Sequence, residues 1–171
     1  MLKGLDLFKN HFDAYSDSYL LIGGTACTLA MKEVGLDFRA TKDLDIVLCL
    51  ESLHPRFGQV IWEFVKRGQY ENRQESSGKR LFYRFHSPRD SAYPHMLELF
   101  SRKPDVITIP KDCHLTPIPL EEEISSLSAI LLDPEYYSFI HTGKRIIFDL
   151  PILSPEYLIL VNNSRLKAEA L

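Results

Sequence analysis

Tyr19-Leu20-Leu21-Ile22-Gly23-Gly24-Thr25-Ala26, continued by Leu29, Ala30 and Val34, decides the fold class. A short apolar run stops at a glycine pair, and apolar positions then recur three and four apart. The spacing predicts a buried strand, a glycine turn and a helix ending at Gly35. On the N-terminal side, Leu5, Phe8, Phe12 and Tyr15 predict an amphipathic helix that ends near Ser16 to Ser18. On the C-terminal side, Leu44 to Leu50 reads as a second buried strand. Phe57, Val60, Ile61, Phe64 and Val65 form the face of a third helix ending near Gly68. Arg80 to Phe85 alternates and His95 to Phe100 is apolar, so two more strands follow with no helix between them. This favours a mixed sheet over a parallel one. The expected fold is α/β (α+β), a mixed β-sheet flanked by helices, with a short helical C-terminal part.

Seven of the ten prolines fall after residue 100, and four of them lie in Lys103 to Pro119, which reads as a winding connection. The expected organisation is a core over residues 1–120 and a helical C-terminal segment over 121–171. Within the latter, Ile124, Leu127, Ile130 and Leu131 make a helix face. Asp133-Pro134-Glu135 supplies a cap, a first-turn proline and an acid for a helix that ends at Gly143. Arg145 to Phe148 reads as one more strand, and Ser154-Pro155-Glu156 opens a last helix.

A chain of 171 residues is the size of one domain with a real core. At 45% hydrophobic, 25% charged and 11% aromatic residues, it is neither disordered, collagen-like nor a coiled coil. The formal charge of −3 carries no global basic field, so contact with nucleic acid is expected through a local patch only. Cys27, Cys49 and Cys113 are odd in number and widely spaced, which argues against a disulfide framework. Lys3, Asp6 and Lys9 interrupt the N-terminal apolar residues, and no apolar run approaches the roughly 20 residues of a membrane span. The expected location is cytoplasmic, without membrane contact.

Three places can carry chemistry. At Gly23-Gly24-Thr25, glycines admit a ligand close to the backbone and the following helix start favours a phosphate; a plain turn is the alternative. Gly-rich spacing and the Lys-Ser/Thr of a Walker loop are absent. At Asp43-Leu44-Asp45, strand alternation puts both carboxylates on one face about 7 Å apart at Cα, where Mg²⁺ would neutralise and bridge them. Roughly three acid-x-acid pairs are expected by chance, and three occur, the others being Glu121 with Glu123 and Asp133 with Glu135. Only Asp43 and Asp45 stand at the entry of a hydrophobic strand, where carboxylates are costly. Glu98, alone among Met96, Leu97, Leu99 and Phe100, is paired, edge-facing or a ligand. If its strand lies beside Leu44 to Leu50, it completes a three-carboxylate site for two metals roughly 4 Å apart, the constellation of phosphoryl or nucleotidyl transfer. Arg80 and Arg84 share a strand face that either grips phosphates or is solvated. Tyr136 and Tyr137 either stack a base or pack a helix face. The six histidines show no zinc spacing, and His86 and His95 read as structural.

Leu21-Ile22-Gly23-Gly24-Thr25-Ala26 followed by Arg39-Ala40-Thr41-Lys42-Asp43-Leu44-Asp45 resembles the signature of the nucleotidyltransferase superfamily, and within it the AbiEii/AbiGii abortive-infection toxin branch. Members of that branch carry a double glycine, a helix, then Arg-x-Thr-x-Asp-hydrophobic-Asp. Met96-Leu97-Glu98-Leu99-Phe100, where a third acid is expected, and Leu153 to Leu160 are similar as well. The likeness spans roughly residues 19 to 160, with its tightest motifs in 21 through 48.

The resemblance implies a palm-like sheet on which Asp43, Asp45 and Glu98 hold Mg²⁺, two ions in all. Glu98 would activate the attacking hydroxyl. Gly23, Gly24 and Thr25, joined by Arg84, would hold the nucleoside triphosphate, while Arg39 and Thr41 shape the loop before the strand. The implied activity moves a nucleoside monophosphate from a triphosphate onto RNA, such as tRNA, or onto protein, as the toxin of a type IV toxin-antitoxin pair with an antitoxin protein as partner. Val161-Asn162-Asn163-Ser164 departs from the pattern, since the relatives carry a lysine early in that helix and Lys167 comes later. The expectation is therefore a short substrate-gripping helical part and weaker activity. Two other functions compete: a catalytically impaired module of the same fold that binds a nucleotide or a partner, and a metal-dependent phosphohydrolase using water as acceptor.

Overall fold

A computed structural model describes residues 2–38, 41–49, 54, 56–71, 82–100 and 134–158. Helix α1 (Leu5–Phe12) and a 3₁₀ turn (Asp13–Tyr15) lead into strand β1 (Tyr19–Ile22) and helix α2 (Gly23–Glu33). Strand β2 (Asp43–Leu48), helix α3 (Phe57–Gly68) and strands β3 (Phe82–His86) and β4 (Met96–Phe100) follow. Helix α4 (Pro134–Thr142) and strands β5 (Lys144–Ile147) and β6 (Leu150–Leu153) complete the described elements, with a helical turn at 155–158.

The strands form one mixed six-stranded sheet in the order β3-β4-β2-β1-β6-β5, flanked by helices. β1 runs antiparallel to β2, and β2 runs parallel to β4. β3 is antiparallel to β4, β6 is parallel to β1 and antiparallel to β5. Every residue of β1 is buried, as its uninterrupted apolar run demands of a strand with neighbours on both edges. α1 and α3 cover one face of the sheet. Phe8, Phe12, Phe57, Ile61 and Phe64 meet Ile46, Leu97 and Leu99 there around a small apolar space. Aromatic rings knit this layer: Phe8 meets Tyr19 and Phe64 edge-on at 5.5 and 5.7 Å between centroids. Each such ring contributes roughly 1.5–3 kcal/mol by burial, which binds the first helix to the sheet.

The strands and helices expected through residue 100 are present, with β2 starting at Asp43 rather than Leu44 and ending at Leu48. The connection over 103–119, the helix face at Ile124 to Leu131 and most of the last helix lie outside the described residues. So do Arg80, Tyr136's side chain and Cys113, while Cys27 is half-buried and Cys49 buried. The segment after residue 120 carries α4 and also contributes two strands to the sheet, one of them beside β1.

Sequence pattern missed β6. Its Pro151 argues against an interior strand, and the turn before it has no glycine or asparagine. Phe148 and Asp149 both take left-handed φ, 52° and 61°, in a two-residue hairpin loop closed by the Ile147 and Leu150 pair. Tertiary contacts hold that unfavourable turn: Lys9 pairs with Asp149 at 2.7 Å and Lys32 lies 5.5 Å over the Phe148 ring.

Candidate functional site

The sheet brings the acids together at one end. β1 terminates where β2 begins, because the two are antiparallel and Ile22 lies opposite Asp45. β4 begins at the same end, because it is parallel to β2, with Asp43 beside Met96 and Asp45 beside Glu98. Across the next strand Arg84 lies opposite Glu98. A single row therefore crosses four strands as Ile22, Asp45, Glu98 and Arg84, and residue alternation places Asp43 on the same face as Asp45. Asp43, Asp45 and Glu98 are half-buried, whereas Leu44, Ile46, Leu97 and Leu99 between them point into the core.

Gly23 opens α2 directly after β1, with φ at +62°. A Cβ there would collide with Asp45 Oδ2, so the glycine makes room for the carboxylate as well as for the turn. At Gly24 a Cβ would stand 3.1 Å from Thr41 Cβ and Oγ1, tighter than ordinary contact. The helix start and the acid strand are thus packed backbone to side chain. Thr25 is buried and its hydroxyl donates to the Asp43 carbonyl at 2.9 Å. Thr41 shapes the entry to β2 as expected, its hydroxyl oxygen accepting from the Asp43 N–H at 3.4 Å. Thr28 donates to the Gly24 carbonyl at 2.8 Å. The hydroxyl of Thr25, expected from the sequence to face a phosphate, is turned instead to the strand that carries the acids.

Arg84 Nε donates to Glu98 Oε1 at 2.5 Å. Of the alternatives for Glu98, the structure shows the paired one. Burial and the neighbouring Glu98 charge push the Asp43 carboxyl above its ordinary value, against the opposing influence of His95, Arg84 and Lys42. Pattern reading missed His95 and Lys42 as neighbours of the acids. His95 precedes the residue beside Asp43 and becomes visible only once β4 is known to lie parallel to β2. Lys42 was adjacent in sequence, but its position in the loop gave no reason to single it out.

Tyr137 packs: it is buried, its hydroxyl donates to the Leu48 carbonyl at 3.3 Å, and its ring meets His141 at 4.5 Å. His86 stands beside Ser87 at 3.1 Å and Glu71 at 3.9 Å. Arg39, Glu121, Glu123 and Asp133 lie outside the described residues.

Among the described residues, no three His, Cys, Asp or Glu side chains converge on a point where a metal ion could sit. Asp43 and Asp45 nevertheless offer hard oxygen donors on one strand face, and the like-charge burden on Asp43 is the kind a divalent cation relieves. These are donors of the kind Mg²⁺ takes, while Glu98 is engaged by Arg84. No described helix is long and apolar enough to cross a membrane. Compared with family models, curated proteins and solved structures, the chain finds no match.

Proposed function

We propose that the chain is a Mg²⁺-dependent nucleotidyltransferase that moves a nucleoside monophosphate from a triphosphate to a hydroxyl of RNA or protein. The observation that carries this reading is the pairing of β2 with β4, which sets Glu98 beside Asp45 and on the same face as Asp43, at the mouth of Gly23-Gly24. In this reading Asp43 and Asp45 would hold Mg²⁺. The ion would supply charge neutralisation at the phosphate oxygens. The N–H groups at the start of α2, beside the space that Gly23 gives to Asp45, would meet the phosphate chain. Thr25 and Thr41 orient the acid strand from below. Glu98, when not engaged by Arg84, accepts the proton of the attacking hydroxyl as its oxygen bonds to the α-phosphorus and pyrophosphate departs. The sequence resemblance to abortive-infection toxins suggests a toxin with an antitoxin partner.

Calorimetric titration of each nucleoside triphosphate with Mg²⁺ tests this reading in wild type and in the Asp43→Asn, Asp45→Asn double variant. Magnesium-dependent affinity that the double variant lacks supports it and names the base to label when searching for an acceptor. A folded wild type that binds no triphosphate refutes it.

One observation favours a second reading. Glu98 is tied to Arg84 and no described trio of ligands converges, as expected of a module that binds a nucleotide or partner without turnover. Such a module would retain partner affinity in the double variant.

A further inference from the structure

We infer that Arg84 is a positioning residue that holds Glu98 away from the two aspartates and releases it when a polyphosphate chain takes the guanidinium. The inference rests on the nucleotidyl-transfer reading and adds to it how the third acid is controlled and by which part of the substrate.

Glu98 has a neighbour of opposite character on each side of its strand. Toward β2 it faces Asp45, and toward β3 it faces Arg84. Repulsion from the aspartates and attraction to the guanidinium act on Glu98 in the same direction. The contact from Nε to Oε1 at 2.5 Å is the outcome. Exposure is unequal, 31% for the Arg84 side chain against 14% for Glu98, so Arg84 is the more accessible of the pair to an anion from solvent. Phosphate oxygens match the planar guanidinium fork as well as a carboxylate does and bring more negative charge. Lys42 adds positive charge near Asp43, so the approach to the acids suits a polyanion. Exchange of Glu98 for phosphate on Arg84 would free the carboxylate from the guanidinium only when substrate is present.

The exchange is testable without metal. Inorganic tripolyphosphate is titrated calorimetrically in EDTA into wild type, Glu98→Gln, Arg84→Gln and the double variant. Competition for the guanidinium predicts binding about tenfold tighter in Glu98→Gln and about tenfold weaker in Arg84→Gln. It also predicts that Glu98→Gln adds nothing once Arg84 is gone. A gain that persists in the Arg84→Gln background reports only the lost negative charge and overturns the inference, as does an Arg84→Gln protein that binds like wild type. Arg84→Lys keeps the charge but loses the fork; it replaces Arg84→Gln where the latter does not fold, with the same sign expected. A parallel titration of Mn²⁺ into wild type and the Asp43→Asn, Asp45→Asn variant separates the two levels. Mn²⁺ affinity that the variant lacks keeps the transfer reading even if the exchange fails. Equal Mn²⁺ affinity in both proteins removes that reading and the inference with it.

Discussion

Gly23→Ala tests whether the glycine turn and the acid strand form one unit. Gly23 has φ at +62°, a region that costs an L-residue about 1–2 kcal/mol. The new Cβ would also meet Asp45 Oδ2, whereas Asp45 Cγ and Cβ stand at 3.1 and 3.4 Å. The strand can therefore stay in place while the carboxylate swings about χ1, at a further cost of about 0.5–1.5 kcal/mol. Together the variant is expected to lose about 1.5–3.5 kcal/mol. In an Asp45→Ala background nothing remains to collide, so the loss shrinks to the backbone contribution of about 1–2 kcal/mol. Urea denaturation of the four proteins measures the difference, a coupling of about 0.5–1.5 kcal/mol. Because the displaced group is a proposed metal ligand, Gly23→Ala should also weaken Mn²⁺ binding by at least about tenfold. An equal loss in both backgrounds, or Mn²⁺ affinity unchanged in Gly23→Ala, would refute the steric link between the turn and the acid.

Asp43→Asn should stabilise the fold while it removes a proposed metal ligand, because burial and Glu98 disfavour the native carboxylate. A gain of about 1 kcal/mol corresponds to a rise of about 2–4 °C in Tm at pH 7 for a chain of this size. The Asp43 carboxyl is raised in the folded state, so its favourable contribution is fully present below the unfolded value near 4 and is lost as pH rises through the folded one. The advantage of the variant should therefore vanish in melts run below about pH 4, and a lower Tm at pH 7 would contradict the assignment. Thr25→Val removes the donor to the Asp43 carbonyl and should cost about 1–3 kcal/mol in urea denaturation, with Thr25→Ser close to wild type; equal losses in both would place the effect elsewhere. Phe148→Asn suits the left-handed φ of 52° at an exposed turn position and should add about 0.5–1 kcal/mol. A loss instead would mean that the Lys32 contact with the Phe148 ring outweighs the backbone strain.

Legibility followed the physical range of each signal. β1 and α3 have local periodicity and strong punctuation, so their bounds and faces could be read directly, down to buried Phe57, Ile61, Phe64 and Val65. β6 could not, because its position between β1 and β5 depends on a long-range pairing and on a turn whose strain is carried by Lys9 and Lys32. For the candidate site, the face shared by Asp43 and Asp45 follows from alternation alone. The adjacency of Glu98 was conditional on which strands pair, and chain order does not dictate that β2 and β4 are parallel neighbours with α3 and β3 between them in sequence. The roles of Thr25 and Arg84 were open for the same reason. Each can serve a ligand or the protein, and only the partner within reach, the Asp43 carbonyl or the Glu98 carboxylate, distinguishes the two.

The acid strands show how such a site is sustained in a small sheet. β2 and β4 each carry half-buried acids on one face of their first half and end in buried apolar residues: Asp43 and Asp45 precede Ile46, Val47 and Leu48, and Glu98 precedes Leu99 and Phe100. The register aligns these halves, so Ile46 pairs with Leu99 and Val47 with Phe100 while Asp45 stands beside Glu98. Burial of those apolar ends at roughly 1.5–3 kcal/mol per side chain offsets crowding of the carboxylates at the other. Asp43, whose neutralisation is expected to stabilise the fold, is then also a side chain whose charge the proposed chemistry requires. Slipping β4 by one residue against β2 would move Glu98 to the core face and bring Leu97 or Leu99 into the acid row, exposing apolar surface and burying a charge together. The same hydrophobic pattern that holds the sheet therefore also selects the register that assembles the carboxylates.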